Sequence, residues 1–129
     1  MKPVKQTVFG YPNGNCFAAC VASLMEIPIE DTPSIENKHF TTAWNDWLRE
    51  RGLGMTDIRA GSGSYVPGYC VAVGKSPRGG LTASGRPVIH AVICKDMQLI
   101  FDPHPEDTFL DGPPTEYTVF YPLDPKDLL

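Results

Sequence analysis

The spacing of apolar residues changes near Gly52, and this change limits the possible fold more than any other feature of the sequence. Before it, residues 16–26 are apolar on all sides, as in a buried helix, and Pro28 ends the run. Residues 39–51 then predict a second helix with one apolar face. That face is formed by Phe40, Ala43, Trp44, Trp47 and Leu48.

After Gly52 the chain consists of short segments rich in Val, Ile, Tyr and Phe, which predict β-strands. These segments are residues 55–59, 69–73, 87–94, 97–102 and 116–122. The sequences VIHAVIC and MQLIFD, joined by Lys95 and Asp96, predict a tight antiparallel hairpin. Helices followed by strands indicate an α+β fold, in which a helical N-terminal half packs on an antiparallel sheet.

Length and charge limit the classes of function. The 129 residues predict a single domain over residues 1–129. The net charge of −4 argues against nucleic acid binding, which generally uses a basic surface. The sequence contains no apolar run of about 18 residues, and its start, MKPVKQTVFG, lacks the apolar stretch of a signal peptide. We therefore expect no nucleic acid or membrane partner and a cytoplasmic location.

The four cysteines are Cys16, Cys20, Cys70 and Cys94. Without a secretory signal we expect reduced thiols, and their spacing is unlike that of a structural zinc site. We expect no metal and no cofactor. Cys20 follows Cys16 by one helical turn and is predicted to be a core residue beneath it, as are Cys70 and Cys94 in their strands. A redox pair of Cys16 and Cys20 is the alternative.

Cys16 stands at the start of the apolar helix, directly after the sequence NGN. We expect the Asn15 side chain to cap this helix. A thiol at a helix start lies at the positive end of the helix macrodipole, which lowers its pKa and favours the nucleophilic thiolate. Cys16 is therefore a candidate nucleophile, although a lone cysteine in an apolar run is also a common core residue.

His90 and Asp102 lie in the two strands of the predicted hairpin, each near its open end. Paired strands are about 5 Å apart, so Asp102 is expected to orient the His90 imidazole. A base that is held by a third group and directed at a nucleophile is the arrangement of a catalytic triad. Taken singly, a strand histidine is often structural, and an aspartate before proline often forms a turn.

The order of these residues, in "GNCFAAC", "HAVI" and "FDPHP", resembles the papain-like cysteine peptidase superfamily. The resemblance covers residues 14–103 and is closest to small bacterial and phage members, near the bacteriocin-leader-processing and NlpC-like branches. It implies a papain-like packing of the nucleophile helix on the sheet. It also implies that Cys16 is the nucleophile, His90 the general base and then acid, and Asp102 the orienting residue.

Members of that superfamily commonly use a glutamine shortly before the nucleophile as an oxyanion donor. Gln6 is the upstream glutamine here, ten residues before Cys16, and Asn15 or Asn13 could take its place. The backbone amide of Cys16 can supply one further donor.

Two further residues are candidates for substrate binding. Arg78 lies in the basic, glycine-rich stretch of residues 74–86, which is either a solvated loop or a lid that binds a substrate carboxylate. His104 is held between two prolines and is either a substrate contact or part of a rigid turn. A metal site is a less favoured alternative, and it would use Asp102, His104, Glu106 and Asp107.

These features favour a thiol hydrolase that cleaves a peptide, isopeptide or related amide bond in a peptide or protein substrate. Amide or acyl exchange, as in a deamidase or transglutaminase, would use the same triad. A third possibility is a catalytically inert bacterial or phage interaction protein. A phage-encoded protein would act in the host cytoplasm.

Overall fold

The structure is a computed structural model that describes residues 1–33, 40–61, 63 and 65–128. Within these residues, helices α1 (Cys16–Met25) and α2 (Phe40–Arg49) precede five strands. The strands are β1 (Leu53–Arg59), β2 (Tyr69–Lys75), β3 (Ile89–Lys95), β4 (Gln98–Phe101) and β5 (Glu116–Pro122). Short 3₁₀ helices occupy Ile29–Asp31 and Pro125–Leu128. The predicted α+β class is confirmed.

The strands form one antiparallel sheet in the order β1-β5-β2-β3-β4. Helix α1 packs on β2 and β3, and α2 packs on β1, so both helices cover the same face. The opposite face is covered by loop residues that include Val66, Phe109 and Leu110. The last strand lies between β1 and β2, and its residues 116–118 pair with residues 71–73 of β2.

The predicted hairpin is present, but its turn is one residue later than expected. Lys95 pairs with Gln98, which makes Asp96 and Met97 the turn residues. Their φ values are 50° and 70°, the left-handed pair that matches the twist of two antiparallel strands. Strand β3 begins at Ile89 because the preceding residues form their own turn, in which the Val88 amide donates to the Gly80 carbonyl.

The predicted apolar face of α2 is confirmed at the centre of the helix, where its side chains are buried. Trp44 and Leu48 are fully buried, whereas Trp47 is only partly buried. The Trp47 indole donates to the Asp31 carbonyl at 2.9 Å, and the Arg51 guanidinium lies 3.8 Å from its ring. Trp47 therefore fastens the edge of the helix, while Trp44 fills the core. Position 39 of the predicted helix lies outside the described residues.

The N-terminal segment is tied along α1 through a buried serine. The Ser23 hydroxyl donates to the Ala19 carbonyl at 2.8 Å and accepts the Val4 amide at 2.8 Å. Farther along, the Gln6 amide donates to the Pro103 carbonyl at 3.0 Å. This path carries Gln6 to the end of the β3–β4 hairpin. No helix in the described part of the chain has the length and apolar character needed to cross a membrane.

Candidate active site

A cleft of about 520 Å³ opens beside the N-terminus of α1. Its floor includes residues of β1, β2, β3 and β5, and its walls come from residues 10–14, the starts of both helices and the loop of residues 76–88. Five of the predicted site residues line this cleft, namely Gln6, Cys16, Arg78, His90 and His104. The fold therefore brings together residues that are up to 98 positions apart (104 − 6) in the sequence.

His90 and Asp102 form a buried pair behind the cleft surface. His90 Nε2 lies 2.7 Å from Asp102 Oδ1, and the two residues are 4% and 1% exposed. The predicted proximity of these side chains is thus present in the structure. Because Asp102 follows the last residue of β4, the hairpin itself determines this contact.

The Asp102 carboxylate is fixed by two backbone amides in addition to His90. The His104 amide donates to Oδ1 at 2.9 Å, and the Phe109 amide donates to Oδ2 at 2.8 Å. Lys5 secures the same turn by donating to the carbonyls of Asp102 and His104 at 2.9 and 3.2 Å. Sequence reasoning missed these amides and Lys5, since no pattern in the chain signals contacts made by backbone groups.

The three hydrogen bonds also set the protonation of the pair. Burial by itself raises the pKa of Asp102, but the hydrogen bonds from His90, His104 and Phe109 outweigh it and lower the pKa. The ionised carboxylate therefore accepts a hydrogen bond from the N–H group at His90 Nε2. In neutral His90 this leaves Nδ1 as the basic nitrogen, and Nδ1 has no hydrogen-bond partner among the described residues.

Cys16 is the first residue of α1 and is partly buried. The backbone amides of Ala91 and Phe17 are within reach of its sulfur. Ala91 follows His90 in β3, so the thiol lies against the strand that carries the candidate base. Among the described residues no hydrogen bond joins Cys16 to His90. Such contacts often form only once a substrate is bound.

The expected low pKa of Cys16 is wrong. Burial raises the pKa of the thiol above its ordinary value of 9.0, and the nearby amides and the charge of Arg78 oppose this only in part. Burial also lowers the pKa of His90, against the hydrogen bond and charge of Asp102. At neutral pH the resting pair is therefore a thiol and a neutral imidazole.

The two predicted oxyanion donors have different positions. Gln6 is 6% exposed, lines the cleft, and donates from Nε2 to the Val8 carbonyl at 2.9 Å. A carboxamide has two N–H groups, so one donor remains. Its Oε1 is buried and has no hydrogen-bond partner within the described residues. This position favours Gln6 as the side-chain donor.

Asn15 is outside the cleft and serves the N-terminal segment instead. Its Oδ1 accepts the amides of Thr7 and Val8, both at 3.0 Å, and its Nδ2 donates to Thr7 Oγ1 at 2.8 Å. The expected side-chain cap on α1 is wrong, because these bonds direct the carboxamide away from the helix amides. Asn15 still precedes the helix, and its carbonyl accepts the Ala19 amide at 3.0 Å.

Arg78 and His104 lie at one end of the cleft, close to His90. The rings of His104 and His90 are 6.2 Å apart, and Arg78 Nη1 lies 3.3 Å from Thr108 Oγ1. The loop that carries Arg78 is held by its own hydrogen bonds, including Thr82 N to the Arg86 carbonyl at 2.7 Å. This arrangement differs from an unstructured solvated loop.

The other three cysteines are fully buried, as predicted for core residues. Cys20 faces from α1 into the core against β2 and β3, and Cys70 pairs with Cys94 across these two strands. Burial raises the pKa of Cys70 to about 12. All four cysteines are free thiols. The described part of the chain contains no group of three or more His, Cys, Asp or Glu side chains placed to hold a metal ion.

No protein-family model, curated protein or solved structure matches this chain. The geometry of its own residues is therefore the basis for the function proposed below.

Proposed function

We propose that the protein is a thiol hydrolase that cleaves a peptide, isopeptide or related amide bond through Cys16, His90 and Asp102. The observation that carries this proposal is the buried His90–Asp102 pair. The other ring nitrogen of His90, Nδ1, is free among the described residues, and His90 lines the same cleft as Cys16. A structural histidine needs only a hydrogen-bond partner. A carboxylate locked by two amides in addition to the histidine is what a positioned catalytic base requires.

The resting protonation states determine how the reaction begins. Cys16 is a thiol and His90 is neutral, so the nucleophile is generated by proton transfer to His90 Nδ1 as sulfur attacks the acyl carbon. Asp102 stabilises the imidazolium that results. His90 then donates this proton to the leaving amine, and water, activated by the same nitrogen, releases the acyl group from Cys16.

The oxyanion that forms during attack is stabilised by hydrogen-bond donors near the N-terminus of α1. The Cys16 amide lies in the first turn of the helix, where backbone N–H groups have no intrahelical acceptor, and in the resting site it is directed at the Cys16 sulfur. Gln6, which lines the same cleft, supplies the second donor.

A papain-like packing of α1 on the sheet is part of the proposal. It is supported by the contact of α1 with β2 and β3 and by the order nucleophile, base, orienting residue along the chain. The substrate is proposed to be a peptide or protein, because the cleft has a volume of about 520 Å³ and residues of four strands line it. Four free thiols fit a reducing compartment such as the cytoplasm.

Reaction with p-nitrophenyl acetate tests the proposal without knowledge of the substrate. We expect a burst of p-nitrophenolate, acetylation of Cys16 detected by mass spectrometry, and slow release by water. Cys16→Ala should abolish the burst. His90→Ala should slow acetylation by about 10²- to 10⁴-fold, the usual contribution of a general base.

The same experiment separates the alternatives. Faster release of the acetyl group to added glycinamide than to water would indicate an acyl-exchange enzyme. Acetylation of Cys16 that is no faster than that of free cysteine, and unchanged in His90→Ala, would refute the hydrolase and favour an inert interaction protein.

A further inference from the structure

Two hydrogen-bond donors in the cleft have no part in the mechanism above. Arg78 and His104 both line it, and the loop of residues 102–109 brings them together. Arg78 contacts Glu106 and Thr108 of this loop, at 3.7 and 3.3 Å from Nη1. The same loop contains Asp102, so these donors have a fixed position relative to the candidate base.

A hydrogen bond to the His104 ring determines which of its nitrogens is the donor. Its Nδ1 accepts the Glu106 amide at 3.1 Å, so the proton of the neutral ring is on Nε2. The side chain is 8% exposed, and its ring packs edge-on against Phe9 with centroids 5.2 Å apart. Nε2 has no hydrogen-bond partner within the described residues. A donor held this firmly is available to a ligand in the cleft.

Among the described residues, Arg78 has two side-chain partners, Thr108 and Glu106, which leave most of its donors free. Its contacts with Thr108 and Glu106 both use Nη1, while a guanidinium has five N–H groups on three nitrogens. The ion pair with Glu106 is long and involves an exposed carboxylate, and such surface pairs contribute little. The backbone of Arg78 is fixed through Ser76, whose Oγ accepts its amide at 3.3 Å.

The charge of Arg78 acts on both reacting groups. Arg78 lines the same cleft as Cys16 and His90, and it contacts the loop that carries His104, whose ring lies 6.2 Å from that of His90. In keeping with this placement, its charge lowers the pKa of both Cys16 and His90. An anion bound by Arg78 therefore lies in the cleft that holds Cys16 and His90. Planar guanidinium forks match carboxylates in particular, because two parallel N–H groups meet two oxygens.

We propose that Arg78 and His104 form a carboxylate-binding subsite next to the scissile bond. The substrate class is then an amide or peptide that carries a carboxylate close to the cleaved bond, as a C-terminal group or an acidic side chain. This inference rests on the proposed role of Cys16 as the nucleophile.

Paired alkylating reagents test the subsite on the intact protein. Iodoacetate and iodoacetamide both alkylate Cys16, but only iodoacetate carries a carboxylate. We expect the rate of alkylation by iodoacetate to saturate as its concentration rises. We also expect the ratio of the iodoacetate rate to the iodoacetamide rate to be higher for Cys16 than for free cysteine. Arg78→Gln should lower this ratio by about 10- to 100-fold, as expected for loss of a charge-assisted pair. His104→Phe should lower it by about two- to tenfold, as for a neutral hydrogen bond.

The ratio cancels effects on the thiol itself. Removing Arg78 also changes the pKa of Cys16, but this affects both reagents equally. Arg86→Gln is the matched control, since it removes the same charge from an exposed residue of the same loop that does not line the cleft. An unchanged ratio in Arg78→Gln, or an equal fall in Arg86→Gln, would overturn the subsite.

Failure of the subsite and failure of the hydrolase are distinguishable. If His90→Ala slows acetylation of Cys16 by p-nitrophenyl acetate but Arg78→Gln leaves the rate ratio of iodoacetate to iodoacetamide unchanged, only the subsite is wrong. If His90→Ala does not change the rate of acetylation, the proposed hydrolase function is wrong, and the proposed subsite is wrong with it.

Protection of Cys16 from iodoacetamide identifies the source of the carboxylate. N-acetylglycine carries it at the C-terminus, the α-amide of N-acetylaspartate carries it on the side chain, and N-acetylglycinamide is the neutral control. Stronger protection by one of the two acids supports the subsite and names the source. Protection by neither acid beyond the neutral amide would refute the subsite.

Discussion

Replacement of Asp102 by asparagine tests the candidate site most directly, because it keeps the shape of the side chain and changes one atom. Both oxygens of Asp102 accept hydrogen bonds in a fully buried position. Oδ1 accepts from His90 Nε2 and the His104 amide, and Oδ2 accepts from the Phe109 amide. Asparagine has one acceptor oxygen and one NH₂ group, so it cannot satisfy all three donors.

Each orientation of the new carboxamide has a cost. With its oxygen toward His90, its NH₂ group meets the Phe109 N–H and leaves two buried donors face to face. With its NH₂ group toward His90, Nε2 must become the acceptor, which moves the ring proton to Nδ1 and removes the basic nitrogen. Either way at least one hydrogen bond to a charged group is lost, worth about 1.5–3 kcal/mol.

We therefore expect Asp102→Asn to lower the free energy of unfolding by about 2–4 kcal/mol, since a buried donor is also left unsatisfied. Acetylation of Cys16 should slow by about 10- to 100-fold at neutral pH, which is the kinetic equivalent of about 1.4–2.8 kcal/mol. Urea unfolding and the p-nitrophenyl acetate burst measure the two effects on the same sample.

Asp107→Asn is the matched control for this experiment. Asp107 lies in the same loop, but it is exposed and pairs with Lys5 at 2.7 Å on the surface. Its replacement should change the free energy of unfolding by less than about 1 kcal/mol and leave acetylation unchanged. The reasoning fails if Asp102→Asn and Asp107→Asn behave alike in both assays.

Two further predictions concern pH and packing. The raised pKa of Cys16 means that its thiolate fraction grows only in the alkaline range, so alkylation by iodoacetamide should be slow below pH 9.0 and rise above it; a plateau reached near pH 7 would contradict this. Trp44→Ala should lower the free energy of unfolding by about 3–5 kcal/mol because the side chain is 1% exposed, and Trp47→Ala should cost less. Equal losses for the two tryptophans in urea unfolding would show that burial does not decide between them.

The fold class was predictable because apolar spacing reports on secondary structure directly. The helical stripe through Trp44 and Leu48 and the strand segments rich in Val, Ile, Tyr and Phe follow from which side chains are buried in the core. The ends of elements were less predictable, since they depend on backbone conformation. Met97 adopts φ 70° in the hairpin turn, a conformation that its residue type does not indicate.

The candidate site was predictable where one hairpin connects its parts. His90 and Asp102 are twelve residues apart, and a tight turn between two strands is enough to bring them together. The position of Gln6 has a different origin, since it depends on the hydrogen bonds of Ser23 to Val4 and of Gln6 to Pro103. Contacts between residues so distant in sequence leave no local pattern from which to predict them.

The pKa of Cys16 shows why position alone does not establish reactivity. The start of a helix stabilises a negative charge by about 0.3–1 kcal/mol, which is less than one pKa unit. Burial shifts the pKa of an ionisable group by up to about 3–5 units in the other direction. The sequence shows that Cys16 begins a helix but not that the residue packs against the buried cluster that α1 forms with β2 and β3, so the larger effect was hidden. A thiol held neutral in this way depends on His90 for its activation, and the loss of acetylation in His90→Ala is therefore the measurement on which the proposed mechanism depends most.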